Sequence, residues 1–372
     1  MAQETISVEA LFDGEKFLQY QTIYLDGGRI TAIDKTPSVL PTMSGILVPG
    51  YIDTQVNGGG GKLFNHSPDI ETLKVIAKAH QQFGTTGWLP TLVTDSLSKM
   101  QQAADAIALA RNDPSLGILG IHFEGPHLSV AKKGVHSESF IRKLSEAEKS
   151  IFARKDLGKV IVTLAPEMVS VDEIKSLVDL GVIVSLGHSD ATLEQTNQAL
   201  SAGAMGFAHL FNAMSPFTSR KPGMVGAALL DNDSFAGLIL DGIHVHPESA
   251  KLAIKSKVNM MLVTDAMPPV SSDEDKFEFF GETIVREGDR LLSSEGRLAG
   301  SVLDMNSAVR NAVALLGLEL SDAINLASKN PARFLGLDAE YGSLKIGYKA
   351  NMVLLNEQRE VAEVWINGKK LD

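Results

Sequence analysis

Between Tyr51 and Asp265 the sequence repeats one theme eight times: a short apolar run, then, in most cases, an amphipathic stretch before the next. Runs of that length read as buried strands and the stretches between them as helices, so the repeats are βα units that build a parallel sheet. The predicted strands are Tyr51–Val56, Gly87–Leu92, Leu119–Glu124, Lys159–Ala165, Val182–Leu186, Met205–Leu210, Ala236–Asp241 and Met260–Asp265. Helical patterns fall at 70–83, 96–111, 171–180 and 192–202. Eight such units over about 215 residues have the count and size of a (β/α)8 TIM barrel.

Both ends of the chain read differently. Short strands joined by turns fill residues 5–48, with a hairpin signal at Asp26-Gly27-Gly28, and the last thirty residues carry another at Asn367-Gly368. Chain termini commonly lie close together. The expectation is a small β-sandwich domain made of residues 1–48 and 343–372, beside a catalytic barrel of residues 49–342. After the eighth strand, residues 276–301 read as an inserted β excursion, and helical patterns at 303–316 and 321–335 close the barrel.

Composition narrows the function classes. The chain of 372 residues contains no cysteine, which excludes a disulfide scaffold, thiolate zinc ligands and a cysteine nucleophile. Its net charge of −11 disfavours nucleic-acid binding, which draws on a basic surface. No apolar stretch approaches the ~18 residues of a membrane span, and the first residues lack the basic and apolar regions of a secretory signal. A cytoplasmic protein is expected.

The polar residues sit where a barrel keeps its chemistry. Gln55 and Asn57 close the first predicted strand, His122 and Glu124 the third, and His188 follows the fifth. His209 lies on the sixth, Asp241 and His244 follow the seventh, and Asp265 ends the eighth. Taken singly, each has a plain structural reading: a buried hydrogen-bonded histidine, or a carboxylate capping a turn or helix. In a barrel, however, the carboxyl ends of the strands converge on one face, so six of eight strands would deliver polar groups to one mouth.

Glu124, His188 and His209 form a set of one carboxylate and two imidazoles, the donor set of a catalytic zinc site with an open position. Asp265 would then act as general base and return the proton to the leaving group. That is metal-assisted hydrolysis of an amide-like bond. The run Asn57-Gly58-Gly59-Gly60-Gly61 lacks a dinucleotide-binding context and reads as a flexible loop at the mouth, with backbone contacts to substrate as the alternative. His136 and Arg220 fall on loops over the same face, and an arginine there suits a phosphate.

These residues carry a resemblance. The chain resembles the N-acetylglucosamine-6-phosphate deacetylases of the amidohydrolase superfamily over essentially its full length. The shared stretches are PGYIDTQVNGGGG, IHFEGPHL, KKGVH, LAPE, SLGHSDAT, AHLFNAM, SRKPG, DGIHV, LVTDAM and LAGS, in that order. The resemblance implies metal ligands at Glu124, His188 and His209 and an acid/base at Asp265. It implies substrate contacts at Val135, His136, Asn212, Ala213, Arg220, His244, Leu298, Ala299 and Gly300. It further implies one divalent metal per subunit, zinc first with Fe2+, Mn2+ or Co2+ open, a sugar-phosphate substrate, and a homodimer in which Arg220 crosses the interface. The implied reaction converts N-acetylglucosamine 6-phosphate to glucosamine 6-phosphate and acetate in amino-sugar catabolism.

Two departures stand out. Many amidohydrolases end the first strand with His-x-His, which holds a second metal; here Gln55 and Asn57 offer neutral amides, poorer ligands than imidazole. A single metal follows, with Gln55 and Asn57 left as second-metal or mouth residues. The usual Gly-x-x-Ala-Asp near the carboxyl end reads Gly347 to Asn351, which alters a turn rather than the site. The rivals are another amidohydrolase activity, a cyclic-amide hydrolase or ring deaminase, and a silent sugar-phosphate-binding regulator. Neither accounts for both Arg220 and Asp265.

Overall fold

The computed structural model describes residues 4–37 and 42–371. The first three residues of the stretch read for a secretory signal lie outside them. Eight parallel strands form one sheet: β1 (Tyr51–Val56), β2 (Thr85–Val93), β3 (Gly120–Glu124), β4 (Lys159–Leu164), β5 (Ile183–Leu186), β6 (Gly206–Phe207), β7 (Phe235–Leu238) and β8 (Met260–Leu262). Each pairs with its sequence neighbour, so the sheet curls in chain order into a nearly closed barrel. Between the strands lie α1 (Ile70–Gln81), α2 (Leu97–Ala110), α3 (Glu146–Phe152), α4 (Val171–Asp179), α5 (Leu193–Ser201), α6 (Gly223–Leu230) and α7 (Pro247–Ser256).

The helices start where the sequence supplies caps. Ser145, Ser170 and Thr192 each accept a hydrogen bond from the third helical residue, whose Glu148, Glu173 or Gln195 side chain reaches back to the cap. These reciprocal bonds satisfy amide groups that a helix end otherwise leaves free. Apolar faces of the helices then close on the outside of the barrel, burying Ile76, Ala103, Ile107, Ile174 and Leu177 against strand residues such as Trp88, Phe123 and Val184.

The amino-terminal end of the barrel is stoppered with apolar side chains. Ile52, Leu89, Ile161 and Met261 pack there with Phe334 of the helix Lys329–Phe334, whose ring lies 5.5 Å from that of Phe235. Higher up the interior turns polar. His122, one layer below Glu124 on β3, approaches the Thr163 hydroxyl at 2.7 Å and the Thr54 carbonyl at 3.1 Å. Burial holds its ring neutral, with a pKa of about 4, so it is a structural part of the floor.

The chain ends meet in a separate seven-stranded sheet, in the spatial order Lys369–Lys370, Val361–Ile366, Met352–Leu355, Met43–Pro49, Glu4–Phe12, Phe17–Asp26, Arg29–Lys35. Its side chains, including Val8, Leu11, Ile23, Ile30, Met352 and Trp365, form a second core. The excursion after β8 is a four-stranded antiparallel sheet, Lys276–Phe279, Glu282–Glu287, Arg290–Leu292 and Leu298–Ser301. Three further helices, α8 (Met305–Leu316), α9 (Leu320–Ala327) and α10 (Lys329–Phe334), follow it.

Candidate active site

The carboxyl ends of the strands open onto a cavity of about 520 Å3. Asn57, Glu124, Val135, His136, His188, His209, Asn212, Ala213, His244, Asp265, Leu298 and Gly300 line it, so most of the residues singled out above share one space. Gln55 lies buried beneath the floor, and Ala299 turns away into the core under the inserted sheet. Arg220 stands apart, exposed on the loop before α6 and outside the lining.

At the centre, single ligand atoms of Glu124, His188 and His209 lie within 4.8 Å of one another. Nε2 of His209 is 3.0 Å from Glu124 Oε1 and 3.0 Å from His188 Nε2. His188 can donate its Nδ1 proton to the Lys132 carbonyl at 2.9 Å, which would leave the Nε2 lone pair facing the cavity. Nδ1 of His209 is buried with no partner among the described residues. Lone pairs that converge in this way, one carboxylate and two imidazoles, suit a divalent cation, and the donor set fits one.

Electrostatics follow from the crowding. Burial would raise Glu124, but hydrogen bonds from His188 and His209 overcome it and hold the carboxyl well below its ordinary range. Burial also opposes the charge on His209, yet Glu124 outweighs it and lifts the ring to about 9. His136 is held well below the usual imidazole range, first by burial and then by His188.

Asp265 faces the cluster. Its Oδ1 accepts from Asn57 Nδ2 at 2.6 Å and from Gln55 Nε2 at 3.3 Å, and the same Gln55 amide reaches Glu124 Oε1 at 2.9 Å. Burial and the Glu124 charge raise its pKa to about 6. The backbone bends to aim these groups: φ is +45° at His188 and +52° at Asp265, a left-handed region that non-glycine residues seldom occupy. Departures of this kind gather at functional sites.

Some contributions were not legible beforehand. Thr94 Oγ1 lies 3.0 Å from the Glu124 carbonyl and 2.9 Å from His136 Nδ1, bracing two walls at once. The hydroxyl fits because residue 125 is glycine: at φ +88°, a Cβ there would stand 2.1 Å from it. Asp241 holds the His244 ring through Nδ1 at 2.6 Å. Lys132, Lys133 and Arg297 add cations to the lining, with Phe279 of the inserted sheet. The glycine run, expected as a loose loop, pairs Gly58–Gly59 with Lys62–Leu63, and His80 Nε2 contacts the Gly58 carbonyl at 2.9 Å.

Comparison with known proteins gives a consistent picture. A model of the amidohydrolase family matches residues 46–371. An N-acetylgalactosamine-6-phosphate deacetylase of Shewanella sp. (strain ANA-3) is 52% identical over 330 residues, 88% of this chain and 84% of the relative. The crystal structure of N-acetylglucosamine-6-phosphate deacetylase from Pasteurella multocida superposes with a TM-score of 0.94 at 34% identity, covering 99% of this chain and 100% of the other. A mutant N-acetyl-D-glucosamine-6-phosphate deacetylase of Mycobacterium smegmatis, in complex with N-acetyl-D-glucosamine-6-phosphate, gives 0.91 at 27% identity, covering 100% and 99%.

Proposed function

The chain belongs to the amidohydrolase family, and from the side chains that meet at its barrel mouth we propose that it hydrolyses N-acetyl-D-glucosamine 6-phosphate to D-glucosamine 6-phosphate and acetate. The observation that carries this reading is the Glu124, His188 and His209 cluster with Asp265 set against it in one cavity. The chemistry belongs to a barrel unit of residues 49–342; residues 1–48 and 343–372, the small β unit, contribute none of the site residues.

One divalent cation per subunit, zinc first with Fe2+, Mn2+ and Co2+ sharing its donor chemistry, would be held by Glu124, His188 and His209 and would supply Lewis acidity toward water and the amide carbonyl. Asp265 receives the proton of the attacking water. Oδ1 already accepts from Asn57 and Gln55, so Oδ2 is the oxygen that exchanges the proton and passes it to the nitrogen as the C–N bond breaks. His136, whose Nε2 lies 4.0 Å from Glu124 Oε2, assists in polarising the acetyl carbonyl. Val135 and the Leu298–Gly300 stretch shape the wall around the sugar.

Asn212, Ala213 and His244 receive the phosphate, with Arg220. The exposed position of Arg220 outside its own chain's cavity fits donation to a neighbouring subunit in a homodimer. We place the reaction in the cytoplasm, as a step of amino-sugar catabolism. No helix among the described residues is long and apolar enough to cross a membrane.

Acetate release from N-acetylglucosamine 6-phosphate, lost with EDTA and restored by Zn2+, tests this reading; no release from metal-loaded, folded protein would reject it. The 52% identity to an N-acetylgalactosamine-6-phosphate deacetylase favours a second reading, the galacto epimer, which differs only in the configuration at C4. Running both epimers side by side ranks them by kcat/KM.

A further inference from the structure

Asp53 lies in the middle of β1 with no exposed surface, and it does not line the cavity. A buried carboxylate is costly unless donors surround it. Its donors lie along the seam of the barrel. Strands β1 and β8 are the two ends of the sheet order and share no strand ladder among the described residues. The gap is bridged just beyond the strand ends, by the Asp265 amide to the Gln55 carbonyl at 3.0 Å and by the Asn57 and Gly58 amides to the Ala266 carbonyl at 2.9 Å.

Asp53 fastens this seam from below. Oδ2 accepts the Thr264 hydroxyl at 2.5 Å, while Oδ1 takes the Gln55 amide at 3.1 Å and the Thr264 amide at 3.4 Å. The Thr264 hydroxyl also accepts the Ala266 amide at 3.3 Å, and the Thr264 carbonyl accepts the Ser301 hydroxyl at 2.5 Å. Residue 264 is thus tied on every polar atom. The next residue is Asp265, whose left-handed backbone is gripped by Gln55 on one side and by the Ser301 amide at 2.9 Å on the other.

We propose that Asp53 is a positioning residue for the reaction: by clasping Thr264 across the seam, it sets the backbone turn that aims the Asp265 carboxylate at the Glu124–His188–His209 cluster. This rests on Asp265 being the acid/base of the reading above. The turn has no continuous strand ladder to hold it, so the side-chain bonds of Asp53 add to the few backbone bonds from Gln55 and Ser301, and small displacements at a reacting group are expensive in rate.

The test uses metal-loaded full-length enzyme and the pair Thr264→Val and Thr264→Ser, with Asp53→Asn and Asp265→Asn beside them. Valine keeps the shape of the side chain and removes the hydroxyl bonded to Asp53; serine keeps that hydroxyl. Thr264→Val is expected to lower kcat at least about tenfold, with KM and metal per subunit little changed, and Thr264→Ser to restore most of the rate. Asp53→Asn, which keeps one acceptor oxygen, should fall between them. A purely structural role would lower Tm and leave kcat per metal-loaded site intact. Wild-type kcat in Thr264→Val, or equal losses in the valine and serine variants, would overturn the proposal. An active Asp265→Asn would instead remove the acid/base reading on which it stands, whereas an inactive Asp265→Asn beside a fully active Thr264→Val would sink the clasp alone.

Discussion

Asn57 Nδ2 donates a 2.6 Å hydrogen bond to Oδ1 of Asp265, so a neutral amide does here what a cation would do elsewhere: it stabilises the ionised carboxylate. A bond to a charged group contributes about 1.5–3 kcal/mol, or roughly one to two pH units. Asn57→Leu should therefore shift the acid limb of the kcat/KM profile upward by about one unit or more. A limb that stays in place would show that Asn57 does not bear on the acid/base.

The pH profile itself follows from Asp265. Burial and the Glu124 charge raise its carboxyl to about 6. A general base works ionised, so activity should fall as pH drops through that value. A cation in the neighbouring cluster favours the ionised form and draws the limb down, so its midpoint should lie no higher than about pH 6. Asp265→Asn should retain its metal yet lose at least ~100-fold in kcat. A limb above about pH 7, or near wild-type turnover in the variant, contradicts the assignment.

The barrel was legible because its strands are short and buried, and burial writes itself into sequence as apolar runs. Strand ends were less so. The run at 205–210 reads as one strand, but only Gly206–Phe207 pair; at His209 and Phe211 φ turns positive, to 20° and 80°, and the chain leaves the sheet to present its imidazole. An apolar string does not encode that departure. The amides of Gln55 and Asn57 were visible as an exception to a pattern, whereas their bonds to Asp265 span more than 200 positions and exist only once the barrel closes. The same holds for Thr94 and for the Lys132 carbonyl behind His188, which leave no local signature.

Removing one imidazole should empty the metal cluster. His209 meets both other members of the set, at 3.0 Å each, so His209→Ala should yield protein with little bound metal by elemental analysis. Ligand binding stabilises a fold by about 4 kcal/mol at a thousandfold excess over Kd. Chelation should therefore lower the Tm of the parent protein and leave that of His209→Ala unmoved. Equal shifts in both would place the metal elsewhere.

Restoring imidazoles at the end of β1 should create a second site. Gln55 and Asn57 already point their amides at the Glu124 and Asp265 carboxylates. In the double variant Gln55→His and Asn57→His, two good ligands would face two anionic ones, a set that favours a transition metal. Metal content should rise from one equivalent toward two after dialysis against Zn2+. An unchanged ratio would mean that this corner is too narrow for an ion.

Arg220 is exposed and lies outside the lining of its own chain's cavity. The cations that line its own cavity are each engaged: Lys132 with Asp190 at 3.6 Å, Lys133 with Glu138 at 3.2 Å and Arg297 with Glu295 at 2.5 Å. A phosphate dianion needs a freer partner, and a fork-shaped guanidinium from a neighbouring subunit would provide it. Arg220→Ala should raise KM for the 6-phosphate by about tenfold or more, with kcat much less affected. Mixing then separates the two geometries. In the proposed homodimer, Arg220→Ala chains co-refolded with Asp265→Asn chains would give heterodimers in which one site combines an intact Asp265 with the other chain's Arg220. For random dimers this restores roughly a quarter of all sites to parental KM. If Arg220 serves its own chain, no mixed site contains both residues, and activity at low substrate stays at the level of the two variants alone.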